Sequence, residues 1–247
     1  MELTVSPIRH EFPASDGEPG FVLDLPALEF SLSAVTYLVG HNGSGKSVLL
    51  RLLSGELAPS HGAVLFSVGD RVWDAQSEPC GIVHQRADDS LAVDLTVREN
   101  VLLHGEYLTL ADRLRPRVRL AEHTRRVLEG FPQLDQKLDQ PCRNLSVGQR
   151  QLLAFLLHAS HRTPVLLLDE FLSATDPGMS ALLRRLAAEY ARRGPACVLV
   201  ASHHLDHALA DAERILILSQ GRLFRDLHRD SPEWNAQSLL SLLGHLL

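Results

Sequence analysis

Two kinds of apolar pattern alternate along the chain. Val35-Thr36-Tyr37-Leu38-Val39, Gly81-Ile82-Val83-His84, Val165-Leu166-Leu167-Leu168 and Cys197-Val198-Leu199-Val200-Ala201 are short, nearly continuous apolar runs bounded by polar or turn residues. Such runs predict strands buried on both faces. Between them, apolar residues recur every three or four positions, which predicts helices. One spans 48–53 and is closed by Ser54-Gly55. A second lies within 95–103, where Thr96 and Glu99 make the spacing of a capping box. A third covers 121–129 and is ended by Gly130 and Pro132. Others run from the stretch at 145–151 to about His158, from Pro177 to Arg193, and in the tail after Pro232.

Other segments follow neither pattern. Leu3-Thr4-Val5, 21–25 and 28–32 read as strands, broken by the Pro- and Gly-rich stretch 13–20. Residues 63–73 around Gly69-Asp70, and 215–224 around Gln220-Gly221, read as hairpins. The expected fold is α/β: a largely parallel sheet flanked by helices, an antiparallel β subdomain and an inserted helical subdomain. The expected organisation is one domain over 1–247. Residues 1–85 and 145–247 form the core with its antiparallel part, and 86–144 form the helical insertion.

The 247 residues suffice for a sizeable core. A formal net charge of −6 argues against nucleic acid as a partner. Arg113, Arg115, Arg117 and Arg119 alternate with other residues and make no block of charge. The first dozen residues contain Glu2, Arg9 and Glu11, so no signal peptide is expected. No run approaches the roughly 18 apolar residues of a membrane span. The leucines at 239, 240, 242, 243, 246 and 247 read as packing surface. Cys80, Cys142 and Cys197, without a C-x-x-C, read as reduced thiols in a cytoplasmic setting.

The chemistry is expected where strands end. Gly40-His41-Asn42-Gly43-Ser44-Gly45-Lys46-Ser47 follows a strand and opens a helix, and fits the G-x-x-x-x-G-K-[ST] phosphate loop. Its glycines let the backbone approach phosphate, Lys46 reaches the β- and γ-phosphates, and the Ser47 hydroxyl is a Mg²⁺ ligand. Asp169 ends an apolar strand and can hold Mg²⁺; Glu170 is placed to polarise water. Gln85 and His203 also fall at strand ends. Ser146 reads as a helix N-cap, and Gly148 exposes backbone N–H groups beside it.

In order and spacing, nearly the whole chain resembles an ABC-type ATPase, the nucleotide-binding subunit of an ABC transporter. Gly40 to Ser47 match Walker A, Gln85 the Q-loop, and Leu145-Ser146-Val147-Gly148-Gln149 the L-S-G-G-Q signature. Val165 to Glu170 match Walker B with its catalytic glutamate, Ser173-Ala174-Thr175-Asp176 the D-loop, and His203 the switch histidine.

The resemblance implies ATP and Mg²⁺ as cofactors. Catalysis falls to Glu170, His203, Lys46 and Gln85, and the metal to Ser47, Gln85 and Asp169. Nucleotide contacts fall to the loop residues 40–47, Val48, Ser146, Gly148, Gln149 and Asp176. The adenine platform is Phe12, with His10 as the alternative. The resemblance also implies a homodimer in which each signature closes over the partner's ATP. Further implied partners are integral-membrane permease subunits and a substrate-binding protein, with the chain on the inner face of the membrane. A subunit without membrane spans is more typical of prokaryotic importers.

Several residues depart from the pattern. Val147 replaces the first signature glycine, Val48 a usual Thr, Phe171 a common Pro and Thr175 a common Leu. His204 stands where Asp is frequent after the switch histidine. None removes a group essential to hydrolysis. His203, His204 and His207 are better explained by a switch histidine beside surface histidines than by a metal site. The competing function is a soluble ABC-type ATPase of a cytoplasmic assembly complex. The absence of an N-K-x-D motif disfavours a GTPase, and only about 60 residues between Gln85 and the signature leave no room for a long coiled coil.

Overall fold

The computed structural model describes residues 2–14, 20–78, 80–104, 116–161 and 163–244, and of 116–121 the backbone alone. Part of the expected connection 13–20, Arg113, Arg115, the side chains of Arg117 and Arg119, and Leu246 and Leu247 therefore lie outside the described residues.

The strands, in chain order, are β1 (Glu2–Val5), β2 (Ile8–Phe12), β3 (Phe21–Leu25), β4 (Leu28–Ser31), β5 (Val35–Val39), β6 (Leu65–Val68), β7 (Arg71–Asp74), β8 (Gly81–Val83), β9 (Val165–Asp169), β10 (Cys197–Ser202), β11 (Arg214–Ser219) and β12 (Arg222–His228). The helices are α1 (Lys46–Leu53), α2 (Val97–Leu103), α3 (Pro116–Leu128), α4 (Pro132–Asp135), α5 (Val147–Ser160), α6 (Pro177–Arg193), α7 (Leu205–Asp211) and α8 (Ala236–Gly244).

The six-stranded sheet has the order β12-β11-β5-β10-β9-β8. β11 with β5, β5 with β10, and β10 with β9 are parallel, while β12 returns antiparallel to β11. Every residue of β5, β9 and β10 is buried, as continuous apolar runs demand of a sheet covered on both faces. The antiparallel part is a four-stranded sheet, β4-β1-β6-β7, and a separate pair, β2-β3. There burial alternates along β4, so one face meets the core and the other water.

By internal contacts the chain forms two units. The first comprises Met1–Ile82, Thr163–Glu170 and Arg184–Leu247; the second comprises Val83–Arg162 and Phe171–Leu183. The first unit's core gathers Leu3, Phe30 and Phe66 from antiparallel strands with Leu49, Leu52, Leu167 and Leu199 from α1 and the central strands. The second buries Val97, Val101, Leu134, Leu152, Leu153 and Phe155 from its helices. Its α2 starts on the capping box expected from sequence: Thr96 Oγ1 accepts from the Glu99 N–H, and Glu99 accepts from the Thr96 N–H.

Several helices differ from the sequence reading: α3 begins at Pro116 rather than Ala121, and α7 was not expected. α1 begins at Lys46 rather than Val48, because the phosphate loop itself supplies its start. Pro132, read as a terminator, is also the first residue of α4: its fixed φ suits a helix N-terminus. Among the described residues no helix is long and apolar enough to cross a membrane.

Candidate active site

In the first unit, the loop Gly40 to Gly45 leaves β5 and turns directly into α1. Gly45 is the N-cap of α1, at φ 103°, and no side chain caps the helix. A Cβ there would stand 2.9 Å from both the Leu23 and Phe21 side chains. Gly40 has a different constraint: a Cβ would fall 2.4 Å from the Leu218 carbonyl and 2.7 Å from Ser44 Oγ. Hairpin β11–β12 thus presses on the loop from behind, and the Gly221 N–H donates to the Ser44 carbonyl at 3.0 Å. His41 Nε2 lies 2.9 Å from the Leu243 carbonyl, which can only accept, so Nε2 carries the proton. Asn42 and Gly43 are exposed at the loop's tip.

Lys46 is only 5% exposed. Its Nζ donates to the Gly40 carbonyl at 2.7 Å and the His41 carbonyl at 3.0 Å. Burial lowers the ammonium's pKa, while the nearby carboxylates of Glu170 and Asp169 oppose that shift. Ser44 Oγ is buried and, among the described residues, has no hydrogen-bond partner. The uncapped helix start, the buried cation and this orphaned hydroxyl make a cradle whose polar groups an anion would satisfy. Ser47, exposed in the first turn of α1, offers a hydroxyl oxygen.

The acids come from the end of β9. Asp169 is its last, buried residue. Glu170 sits at φ 42°, a left-handed conformation that costs a non-glycine residue about 1 kcal/mol or more. Its N–H donates to the Ala201 carbonyl at 2.9 Å, which ties it to β10. His203, just past β10, places Nδ1 3.4 Å from Glu170 Oε2; the histidine is 51% exposed and the glutamate 16%. The first unit therefore brings together Lys46, Asp169, Glu170 and His203 as the sequence order requires.

The second unit holds the remaining residues. Gln85 is exposed, two positions after β8. The backbone before it is pinned: the His84 N–H donates to Ser90 Oγ at 3.2 Å, and Gln151 Nε2 of α5 donates to the His84 carbonyl at 3.1 Å. Ser146 is the N-cap of α5, in a second reciprocal box. Its Oγ accepts from the Gln149 N–H, and Gln149 Oε1 accepts from the Ser146 N–H. Lys137 Nζ also donates to Gln149 Oε1 at 3.0 Å. Both bonds use the amide oxygen and leave the Gln149 NH₂ for other acceptors. A Cβ on Gly148 would meet Met179 Cγ at 3.1 Å. Asp176 Oδ1 accepts from the Met179 N–H at 3.0 Å, a cap at the start of α6.

The family model described as ABC transporter matches residues 23–173, more than half of the chain. The chain belongs to that family. It is 31% identical over 232 residues to a tyrosine transport ATP-binding protein of Clostridioides difficile, covering 91% of each chain. It is 32% identical to a thiamine import ATP-binding protein of Yersinia pestis, covering 76% of this chain and 77% of that one. An energy-coupling factor transporter ATP-binding protein of Bacillus licheniformis is 34% identical, with coverage of 82% and 72%. Among solved structures, the ATP-binding subunit of an ABC transporter aligns at TM-score 0.76 with 21% identity, covering 100% of this chain and 99% of that one. A dimeric ATP-binding cassette in a post-hydrolysis state with ADP and Pi aligns at TM-score 0.72 with 20% identity, covering 93% and 99%. These two show the fold. The chain is an ATP-binding, ATP-hydrolysing subunit of the ABC transporter family.

The departures from the ABC pattern are accommodated locally. Val147 is the first residue of α5, stays out of the positive-φ region and is 43% exposed. Val48, in place of a hydroxyl residue, packs on the first unit's core. Phe171 is buried. Phe12 is 39% exposed, with its ring 6.3 Å from Phe21, whose edge faces Gly45. His10 is buried against Phe12, so it offers no open stacking face. Sequence reasoning missed Phe21 and Lys137. Phe21 lies in an ordinary strand pattern, and Lys137 in a short polar stretch with no helical period.

All three cysteines are free and buried. Burial pushes the Cys80 and Cys197 thiols up to about 12 and Cys142 to about 11, so none is a ready nucleophile.

Proposed function

We propose that two copies of this chain close around two ATP molecules. The P-loop of one would face the signature of the other, and closure and reopening would drive separate permease subunits. The observation that carries this reading is a cluster of four groups: buried Lys46 beside Asp169 and Glu170, with His203 on the glutamate. In it the loop N–H groups and Lys46 hold the β- and γ-phosphates, and Phe12 lies under the adenine. Val48 contributes packing where a hydroxyl would otherwise bind.

Ser47 and Asp169, with Gln85, would hold Mg²⁺; hydroxyl, carboxylate and amide oxygens are the hard donors that this ion takes. When bound, Mg²⁺ supplies neutralisation of charge on the β- and γ-phosphate oxygens. Glu170 accepts a proton from the attacking water, and its left-handed pose aims the carboxylate before substrate arrives. His203 keeps that carboxylate oriented and reaches the γ-phosphate. Ser146, the amides of Val147 and Gly148, and the Gln149 NH₂ complete the partner's site, with Asp176 at the subunit boundary. Their contribution is electrostatic and positional.

On this reading residues 1–85 and 145–247 act as the ATPase core with its antiparallel subdomain. Residues 86–144 act as the helical subdomain that carries motion to the membrane partner. The name of one relative, the thiamine import ATP-binding protein, supports an importer. The chain would then lie on the inner face of the membrane, with a substrate-binding protein on the far side. Replacing Glu170 with Gln should preserve ATP binding and lower turnover by about 100-fold or more. Equilibrium binding of labelled ATP and single-turnover hydrolysis measure the two separately. Undiminished turnover would remove Glu170 as the base.

A further inference from the structure

His203 and His204 lie between the end of β10 and the start of α7. His204 is the N-cap residue of α7, at φ −85° and ψ 96°, and its side chain makes no cap hydrogen bond. An Asp, Asn, Ser or Thr at an N-cap accepts one of the helix's orphan N–H groups; imidazole here accepts none. Asp, frequent at this position in the family, would satisfy the helix. A local rule broken in this way, beside a site, calls for a compensating gain.

The gain is visible in the rings. The His204 ring centroid is 4.2 Å from that of His203, with the planes at 37°. On its other side it is 5.1 Å from His207, at 42°. The backbone under this row of rings is held, since the His204 N–H donates to Ser202 Oγ at 3.0 Å. The far end is fixed too: α7 is held at Asp211, which takes two bonds from Arg184 and one from Tyr37 Oη. His203 needs such support. Its side chain is half exposed, and its polar contact to Glu170 is a single 3.4 Å approach. A ring free to turn about χ2 would present Nδ1 to Glu170 only part of the time.

We infer that His204 is a positioning residue: packed ring against ring between His203 and His207, it holds the plane of His203 in the pose that faces Glu170. The inference rests on the assignment of His203 as the switch residue. Ring packing takes the place of the cap, so stability and catalysis are predicted to separate at this position.

The test uses the purified full chain with His204→Asp, His204→Ala, His204→Phe and His203→Ala, read by steady-state ATPase and thermal melting. His204→Asp supplies the missing cap and loses the ring contacts. Its Tm should stay level or rise while kcat falls about fivefold or more, with KM for ATP unchanged. His204→Ala should lose kcat similarly, and His204→Phe should keep it within about twofold of wild type, because a ring is retained. The inference is overturned if His204→Asp and His204→Ala keep wild-type kcat, if His204→Phe is as slow as His204→Ala, or if His204→Asp lowers Tm and kcat together. His203→Ala separates the two levels. A slow His203→Ala beside a normal His204→Ala sinks the positioning role alone, and a normal His203→Ala sinks the switch assignment beneath it.

Discussion

Phe12 and Glu170 show how single residues are prepared for work. Phe12 keeps 39% of its surface in water on a strand whose other apolar side chain, Ile8, is buried. On the proposed reading this open ring stacks on the adenine. Phe12→Ala should raise KM for ATP by about fivefold and leave kcat nearly unchanged, since stacking serves ground and transition states alike. A nucleotide titration beside a turnover assay reads both; an unaltered KM would move the adenine elsewhere, with Phe21 next in line. Glu170 shows the opposite economy, a backbone held off its preferred region so that the carboxylate is already placed. Its residue type and its seat after an apolar run were plain from sequence. Its φ was not, because left-handed backbone at a non-glycine depends on the bond its N–H makes to Ala201 across the sheet.

Among the elements, α5 links most of the second unit's functional features. Its N-terminus presents Ser146, its middle holds the His84 carbonyl through Gln151, and its far end carries His158 and His161. His158 is pushed down to about 3, first by burial and then by His104, His161 and His84. His104, the C-cap of α2, is lowered as well, mainly by burial. The His158 imidazole thus stays neutral in the fold down to about pH 3, and His104 is shifted in the same direction, whereas in the unfolded chain both bind protons below about pH 6.5. The unfolded state therefore gains protons first on acidification. The stability these groups contribute is present above about pH 6.5 and is lost as pH falls from there toward 3, at about 1.4 kcal/mol per pH unit for one such group. Urea melts between pH 7 and 5 should show a falling midpoint, flattened by His158→Phe; a midpoint level across that range would refute it. The elements themselves were legible where a pattern had a start signal. The Thr96 box and the Ser146 N-cap announced α2 and α5, and continuous apolar runs announced β5, β9 and β10. α7 went unread because it is seven residues long and its N-cap is a histidine that caps nothing. The imidazole group at 84, 104, 158 and 161 was equally hidden, since it gathers distant positions that no spacing rule connects.

At the scale of the whole molecule, the sequence motifs fall into two sets. Lys46, Asp169, Glu170 and His203 belong to the unit built on the six-stranded sheet, whereas Gln85, Ser146, Gly148 and Asp176 belong to the unit built on helices. A buried cation with an orphaned hydroxyl wants an anion, and so does the N-terminus of α5, yet one ATP has one triphosphate. On the proposed reading, two copies arranged about a two-fold axis would resolve this, each lending its signature to the other's nucleotide. The arrangement makes a sharp demand on mixtures. Lys46→Ala alone and Ser146→Arg alone should each be inactive. An equal mixture allowed to exchange subunits forms mixed dimers, in which one of the two sites has both Lys46 and Ser146 intact. If the sites act independently, turnover should recover to about a quarter of the wild-type rate, half the dimers being mixed and half their sites complete. The same mixture should show a rate that rises more steeply than linearly with protein concentration while dimers are scarce. Recovery of activity on mixing cannot come from a monomer that completes its own site, since neither variant contains both residues. Silence in the mixture, with each variant folded and the Ser146→Arg copy still binding ATP, would mean that Lys46 and the signature do not meet across a pair of chains.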